Sequence, residues 1–324
     1  MTKNSLREQI IENKPKIGLS TIKTYLSNIS TLSQKMSIPL EDKKDFITHK
    51  DKIIDFLKNM EKYQHGKTRL SAILAVIKPT DLTKLEELDD ETKEAINEYN
   101  NLMNEFKKTY NDNMNNQEMT DVQKENFLPW DKIVEIYNKL KQVANPLFKF
   151  DPNYIRRDSF ETLKHFIVLS LYVLTPPRRA LDYTAMKVKN FDYSDGSKDN
   201  YILDVKGKWY FVFNNYKNAN RLGKQTVEVP KELKAILKNW LRFNKESDYL
   251  IPSKTGGRIQ DNKINAILNE IFRRNIGVTL LRHAFITNRY GNIDLNKLQE
   301  DTEKLGSNNI PNMLRYVDKE KAKE

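Results

Sequence analysis

Tyr201-Ile202-Leu203-Asp204-Val205, Trp209-Tyr210-Phe211-Val212-Phe213-Asn214 and Gln225-Thr226-Val227-Glu228-Val229 are three short runs rich in β-branched and aromatic residues, separated by polar turns. They predict three strands of a small antiparallel sheet. On both sides the apolar residues recur at helical spacing instead. Helices are predicted at about 131–143 and 159–174 upstream, and at 230–243, 261–274, 279–290 and 294–305 downstream. A small sheet embedded in helices makes residues 127–324 an α+β domain.

Residues 1–110 read as a separate all-α domain of four helices. Ser20 has N-cap chemistry and precedes Ile22, Tyr25, Leu26, Ile29 and Leu32. A second helix is predicted over 51–62, with Ile53, Ile54 and Leu57 inward. The third starts near Thr68 and stops at Pro79. The fourth is acidic and follows Thr83, with Leu85, Leu88, Ile96, Tyr99, Met103 and Phe106 as its apolar stripe. Residues 111–126 are polar, rich in Asn and Gln and without periodicity, and are expected to link the two domains.

The formal net charge of +11 is unevenly spread. Residues 1–78 carry 15 Lys and Arg against 8 Asp and Glu, whereas 79–124 carry 5 against 12. The remaining 200 residues carry 35 against 24. Two basic lobes around an acidic stretch suit a clamp on a polyanion. The absence of cysteine excludes disulfides and thiolate chemistry. The four histidines are scattered, so no metal or other cofactor is expected. With no signal-like start and no apolar run of membrane-spanning length, the chain is expected to be soluble and intracellular.

Two arginine-bearing stretches stand out. One is Thr175-Pro176-Pro177-Arg178-Arg179-Ala180-Leu181-Asp182-Tyr183. The other is Val278-Thr279-Leu280-Leu281-Arg282-His283-Ala284-Phe285-Ile286-Thr287, followed by Leu305-Gly306-Ser307 and Tyr316. Arginine binds two phosphate oxygens through its planar fork and stays protonated. A tyrosine hydroxyl can attack a phosphodiester, and a lysine in the turn after Phe213, Lys217 or Lys224, can supply a proton. Together they point to DNA strand exchange through a phosphotyrosine.

In this order and spacing the stretches resemble the motifs of the tyrosine recombinases, the phage-integrase family. The first arginine box, Arg-x-x-Glu, reads Arg179-Ala180-Leu181-Asp182, with Arg178 as the adjacent alternative. The second, His-x-Leu-Arg-His-x-Phe-x-Thr, reads from Thr279 to Thr287, with Thr279 in place of the first histidine and His283 matching the second. Leu305-Gly306-Ser307 is similar to the Leu-Gly-His/Trp turn, and Tyr316 keeps the family's nine-residue spacing from it. Thr21-Ile22-Lys23-Thr24-Tyr25 resembles a pattern in the first helix of the family's core-binding domain. The resemblance covers about residues 15–318, and the Lys- and Asn-rich style is similar to integrases of virophages, large DNA viruses and related mobile elements.

This resemblance implies a C-shaped clamp on double-stranded DNA. Tyr316 is then the nucleophile, forming a 3′-phosphotyrosyl link, with Tyr290 the next tyrosine to consider. Arg179 and Arg282 stabilise the transition state, and Lys217, preferred to Lys224, protonates the 5′ oxygen. Asp182 and His283 support the site. Thr279 and Ser307 are replacements at catalytic positions, which puts assistance to Tyr316 in question. The family works as a homo-tetramer on paired DNA sites without metal or ATP, and a viral origin would place it in the nucleus or cytoplasm of a host cell. Type IB topoisomerase-like relaxation and a non-catalytic DNA-binding factor remain the alternatives.

Overall fold

Leu70-Ser71-Ala72-Ile73-Leu74-Ala75-Val76-Ile77 is apolar nearly all round, and such a helix must lie in the middle of others. The computed structural model describes residues 2–60, 63–115, 119–290, 300–302 and 304–305. It divides the chain into two units, Met1–Asn116 and Gln117–Glu324. In the first unit the described residues form α1 (Thr2–Asn13), α2 (Leu19–Met36), α3 (Lys43–Thr48), α4 (Lys50–Lys58), α5 (Tyr63–Ile77), α6 (Leu82–Glu86) and α7 (Asp90–Asn115). The apolar run is the second half of α5, where Leu70, Ala72, Ile73, Ala75, Val76 and Ile77 are buried against α1, α2 and α7. Tyr99 of α7 donates its hydroxyl to the Phe46 carbonyl of α3 at 2.7 Å. Burial pushes that phenol well above its usual range.

The four expected helices correspond to α2, α4, α5 and α7. Three more were not expected: α1, which buries Leu6 and Ile10, and the short α3 and α6. The acidic stretch after Thr83 is thus two helices, each started by an aspartate: Asp81 accepts from the Thr83 amide and Asp89 from the Thr92 amide.

The second unit contains α8 (Asp121–Asn126), α9 (Trp130–Leu147), α10 (Arg157–Val173), α11 (Ala180–Thr184), β1 (Met186–Lys187), β2 (Asn200–Val205), β3 (Lys208–Phe213), α12 (Ala219–Leu222), β4 (Gln225–Glu228), α13 (Lys231–Phe243), α14 (Lys263–Phe272) and α15 (Val278–Tyr290). The central helix α10 buries Leu163, Phe166, Ile167, Val168, Leu169, Leu171 and Tyr172 against α9, α13 and α14. Residues 111–126, expected to be a linker, contain the end of α7 and all of α8. Helix α8 opens on a capping box in which Thr120 and Gln123 satisfy each other's backbone amides. The expected helix at 294–305 lies largely outside the described residues; 300–302 and 304 are helical. No helix among the described residues is long and apolar enough to cross a membrane.

The three expected strands are β2, β3 and β4, paired antiparallel in that order. A fourth, β1, pairs parallel to β2 with Met186 opposite Asn200, so the sheet is mixed rather than antiparallel. Two residues are too few to display the alternation that marks a strand.

Asn200, fully buried at the start of β2, joins this sheet to α11. Its Nδ2 donates to the carbonyls of Asp182 (3.0 Å) and Asn215 (2.8 Å), and its Oδ1 accepts from the amides of Asn214 (2.9 Å) and Asn215 (2.7 Å). Asn200→Ala orphans the buried Asp182 carbonyl and removes a partner from the part-buried backbone groups of Asn214 and Asn215. It should cost about 2–4 kcal/mol in urea unfolding, since each such group costs roughly 1–3 kcal/mol. A midpoint unchanged from wild type would mean that water replaces the amide there.

Candidate active site

Helix α10 ends before Pro176-Pro177, which carry no amide hydrogen to continue it. The Thr175 hydroxyl closes the end by donating to the Leu171 carbonyl at 2.6 Å. Arg179 becomes the N-cap of α11 and is half-buried, while Arg178, just outside the helix, turns inward and is 2% exposed. Its Nε donates to Asp182 Oδ2 (2.8 Å), Nη2 to Gln225 Oε1 (3.0 Å) and Nη1 to the Lys304 carbonyl (2.9 Å). The guanidinium plane lies over Phe213, 3.8 Å from the ring centroid, with Tyr216 at 5.3 Å. The Arg-x-x-Asp spacing had paired Asp182 with Arg179. In the structure Arg178, one residue before the N-cap of α11, makes an ion pair with Asp182. Burial pushes the Asp182 carboxyl up, opposed by Arg178, Arg179 and Arg282.

Arg282 approaches the same place from α15 and is 3% exposed. Its Nη1 donates to the Pro177 carbonyl, next to Arg178, and to the Leu305 carbonyl at 3.4 Å. Both arginines therefore meet consecutive carbonyls of the segment that leads toward Gly306. The start of α15 is fixed by Asn265, whose Oδ1 accepts from the Val278 amide at 2.9 Å. A Cβ on Gly277 would stand 3.0 Å from that oxygen, so only glycine fits without displacing it. Thr279 is exposed in the first turn, and His283, beside Arg282, is half-buried.

Lys217 is exposed, one residue past the buried Tyr216. The Tyr216 hydroxyl crosses the β3–β4 connection to the Gly223 carbonyl at 2.8 Å, and Gly223 adopts the positive φ of 68° that closes the turn. The connection also holds α12, which sequence spacing did not reveal. Lys224 pairs with Asp195 at 3.2 Å on the surface.

Ser307 and Tyr316 lie outside the described residues, as does Gly306. Tyr290 is fully buried, and its hydroxyl meets Asp301, which also pairs with Arg289. Burial and Asp301 push its phenol up, the wrong direction for a nucleophile. Tyr172 and Tyr183 are likewise buried, and the Tyr183 phenol is pushed up to about 12.

The site thus unites Arg178, Asp182, Gln225, Arg282 and the carbonyls of residues 304 and 305. Gln225 and Asn200 belong to no motif, and only their long-range partners single them out.

No family model matches the chain, and no curated protein matches it. Solved structures do match. A crystal structure of a lambda integrase dimer bound to a COC' core site has a TM-score of 0.53 at 13% identity, covering 99% of this chain and 78% of that one. The chain has the tyrosine recombinase fold. A second lambda integrase dimer on a COC' core site matches 98% of this chain and 96% of that one, with TM-score 0.50 and 15% identity. A lambda integrase tetramer bound to a Holliday junction matches with TM-score 0.50 and 13% identity over 98% of this chain and 78% of that one. At these identities the likeness to the recombinases is one of fold.

Tyr290→Phe removes one partner of the buried Asp301 but leaves Arg289. It should lower stability by about 1.5–3 kcal/mol, the value of a hydrogen bond to a charged group, as read by thermal unfolding. A loss beyond about 4 kcal/mol would mark a wider network than the one described.

Proposed function

We propose that the protein is a site-specific DNA recombinase of the integrase kind, cleaving and rejoining double-stranded DNA through a 3′-phosphotyrosyl intermediate. The observation that carries this reading is the junction of two buried guanidiniums, Arg178 and Arg282, with Asp182, in a chain of this fold. The net charge of +11 suits a partner held mainly by its phosphates. Lambda integrase appears as a dimer on a core site and as a tetramer on a Holliday junction. By analogy this chain would act as a homo-tetramer on paired sites.

In the proposed step the Tyr316 oxygen attacks the scissile phosphorus and gives its proton to water or a nearby acceptor. The P–O5′ bond breaks, and the electron pair left on the 5′ oxygen takes a proton from the Lys217 ammonium. Arg282 and an arginine of the 178–179 pair bind the non-bridging oxygens, where charge builds in the transition state. The Pro177 carbonyl that Arg282 holds, one residue from Arg178, favours Arg178 for this part. The half-exposed Arg179 then serves as a flanking phosphate contact. Because the bond energy is kept in the phosphotyrosyl link, rejoining needs no ATP.

On a nicked suicide substrate, Tyr316→Phe should bind DNA as the wild type does and form no covalent adduct. Adducts that persist would move the nucleophile elsewhere. Arg282→Ala should slow cleavage about 10²-fold or more, as for one lost oxyanion donor, with little change in binding. Equal losses in binding and cleavage would make it an ordinary phosphate anchor.

Thr279 places a hydroxyl where the family has an imidazole, and its exposure leaves room for a larger ring. Thr279→His should therefore raise single-turnover cleavage near neutral pH, general-base help being worth roughly 10²–10⁴-fold at most. The gain should shrink toward pH ~10, where an unperturbed tyrosine ionises unaided. A folded Thr279→His protein no faster at any pH would show that another group already takes the proton.

A further inference from the structure

Both legs of the β3–β4 connection are fastened to the Arg178–Asp182 pair. On the first leg, Phe213 lies under the Arg178 guanidinium. The next two amides, of Asn214 and Asn215, donate to Asn200 Oδ1, and the Asn200 amide in turn donates to the Asp182 carbonyl. On the second leg, Gln225 Oε1 accepts from Arg178 Nη2 at 3.0 Å. Phe213 and Gln225 are direct partners in the β3–β4 register, so they form the base of the connection and grip the guanidinium on its face and its edge. The bond from Tyr216 to Gly223 closes the loop above that base, and Lys217 follows Tyr216 directly.

We infer that Gln225 is a positioning residue, holding the Lys217 loop in register with Arg178 so that the ammonium stands where the 5′ oxygen departs. This rests on the proposed role of Lys217 as general acid. A neutral amide suits the position for an electrostatic reason. It accepts from Arg178 without adding a second carboxylate that would draw the guanidinium's charge away from a phosphate. The geometric demand is strict, because misplacing a reacting group by about 1 Å can cost on the order of 10²-fold in rate.

The test compares two DNA substrates, one ordinary and one with sulfur in place of the bridging 5′ oxygen at the scissile phosphate. A thiolate leaves without being protonated, its conjugate acid having a pKa of about 8.5, so the second substrate needs no general acid. Gln225→Leu and Gln225→Met keep the volume of this half-buried edge-strand residue. Both should bind DNA normally, cleave the ordinary substrate roughly 10- to 100-fold more slowly and cleave the sulfur substrate close to the wild-type rate. Lys217→Ala should show the same pattern. If Lys217→Ala is rescued by sulfur and the Gln225 variants are not, the glutamine serves Arg178 alone and the inference is overturned. Gln225 variants with an undiminished rate on ordinary DNA overturn it as well. If Lys217→Ala stays slow on both substrates, the general-acid role itself falls, and the inference with it.

Discussion

A guanidinium taken out of water must be met by acceptors on several sides, or the fold that buries it does not form. Arg178 is 2% exposed and Arg282 3% exposed, and their acceptors come from distant parts of the second unit. Asp182 belongs to α11, Gln225 to β4, Pro177 to the turn after α10, and the carbonyls of 304 and 305 to the segment before Gly306. Satisfying two cations thus fixes how helix, sheet and C-terminal segment meet. The same requirement leaves the arginines fixed in place, and pre-set cations are what a developing phosphorane charge calls for.

The remaining architecture delivers those side chains. The apolar face of α10 anchors the Pro176-Pro177 turn, and the Thr175 hydroxyl sets the point where the helix stops. The pairing of β3 with β4 places Phe213 beneath Arg178 and Gln225 beside it. Asn200, with all four hydrogen-bonding positions of its amide used, ties the same sheet to the backbone of Asp182. On the opposite side, Trp130 of α9 packs edge-on against Phe285 of α15 at 5.2 Å, steadying the helix that carries Arg282.

The strands and long helices were legible because each has its own period. The runs at 201–205, 209–214 and 225–229 appear as β2, β3 and β4 with boundaries moved by a residue at most. What periodicity cannot register was missed. Strand β1 has two residues, and α8 has six started by a capping box within a polar stretch. That Asp182 pairs with Arg178 also escaped spacing, since it depends on where α11 begins after two prolines. Gln225 and Asn200 could not be found in the sequence at all, since their partners lie 47 and 18 residues away.

The proposed function requires that these arginines serve a tyrosine that becomes covalently joined to DNA. Mapping the attachment point tests it most directly. After reaction with a nicked substrate, nuclease digestion and trypsin cleavage, mass spectrometry should find the 3′-nucleotide phosphate on the peptide Tyr316–Lys319. A nucleotide carried on any other peptide, or DNA bound tightly with none attached, would contradict the account.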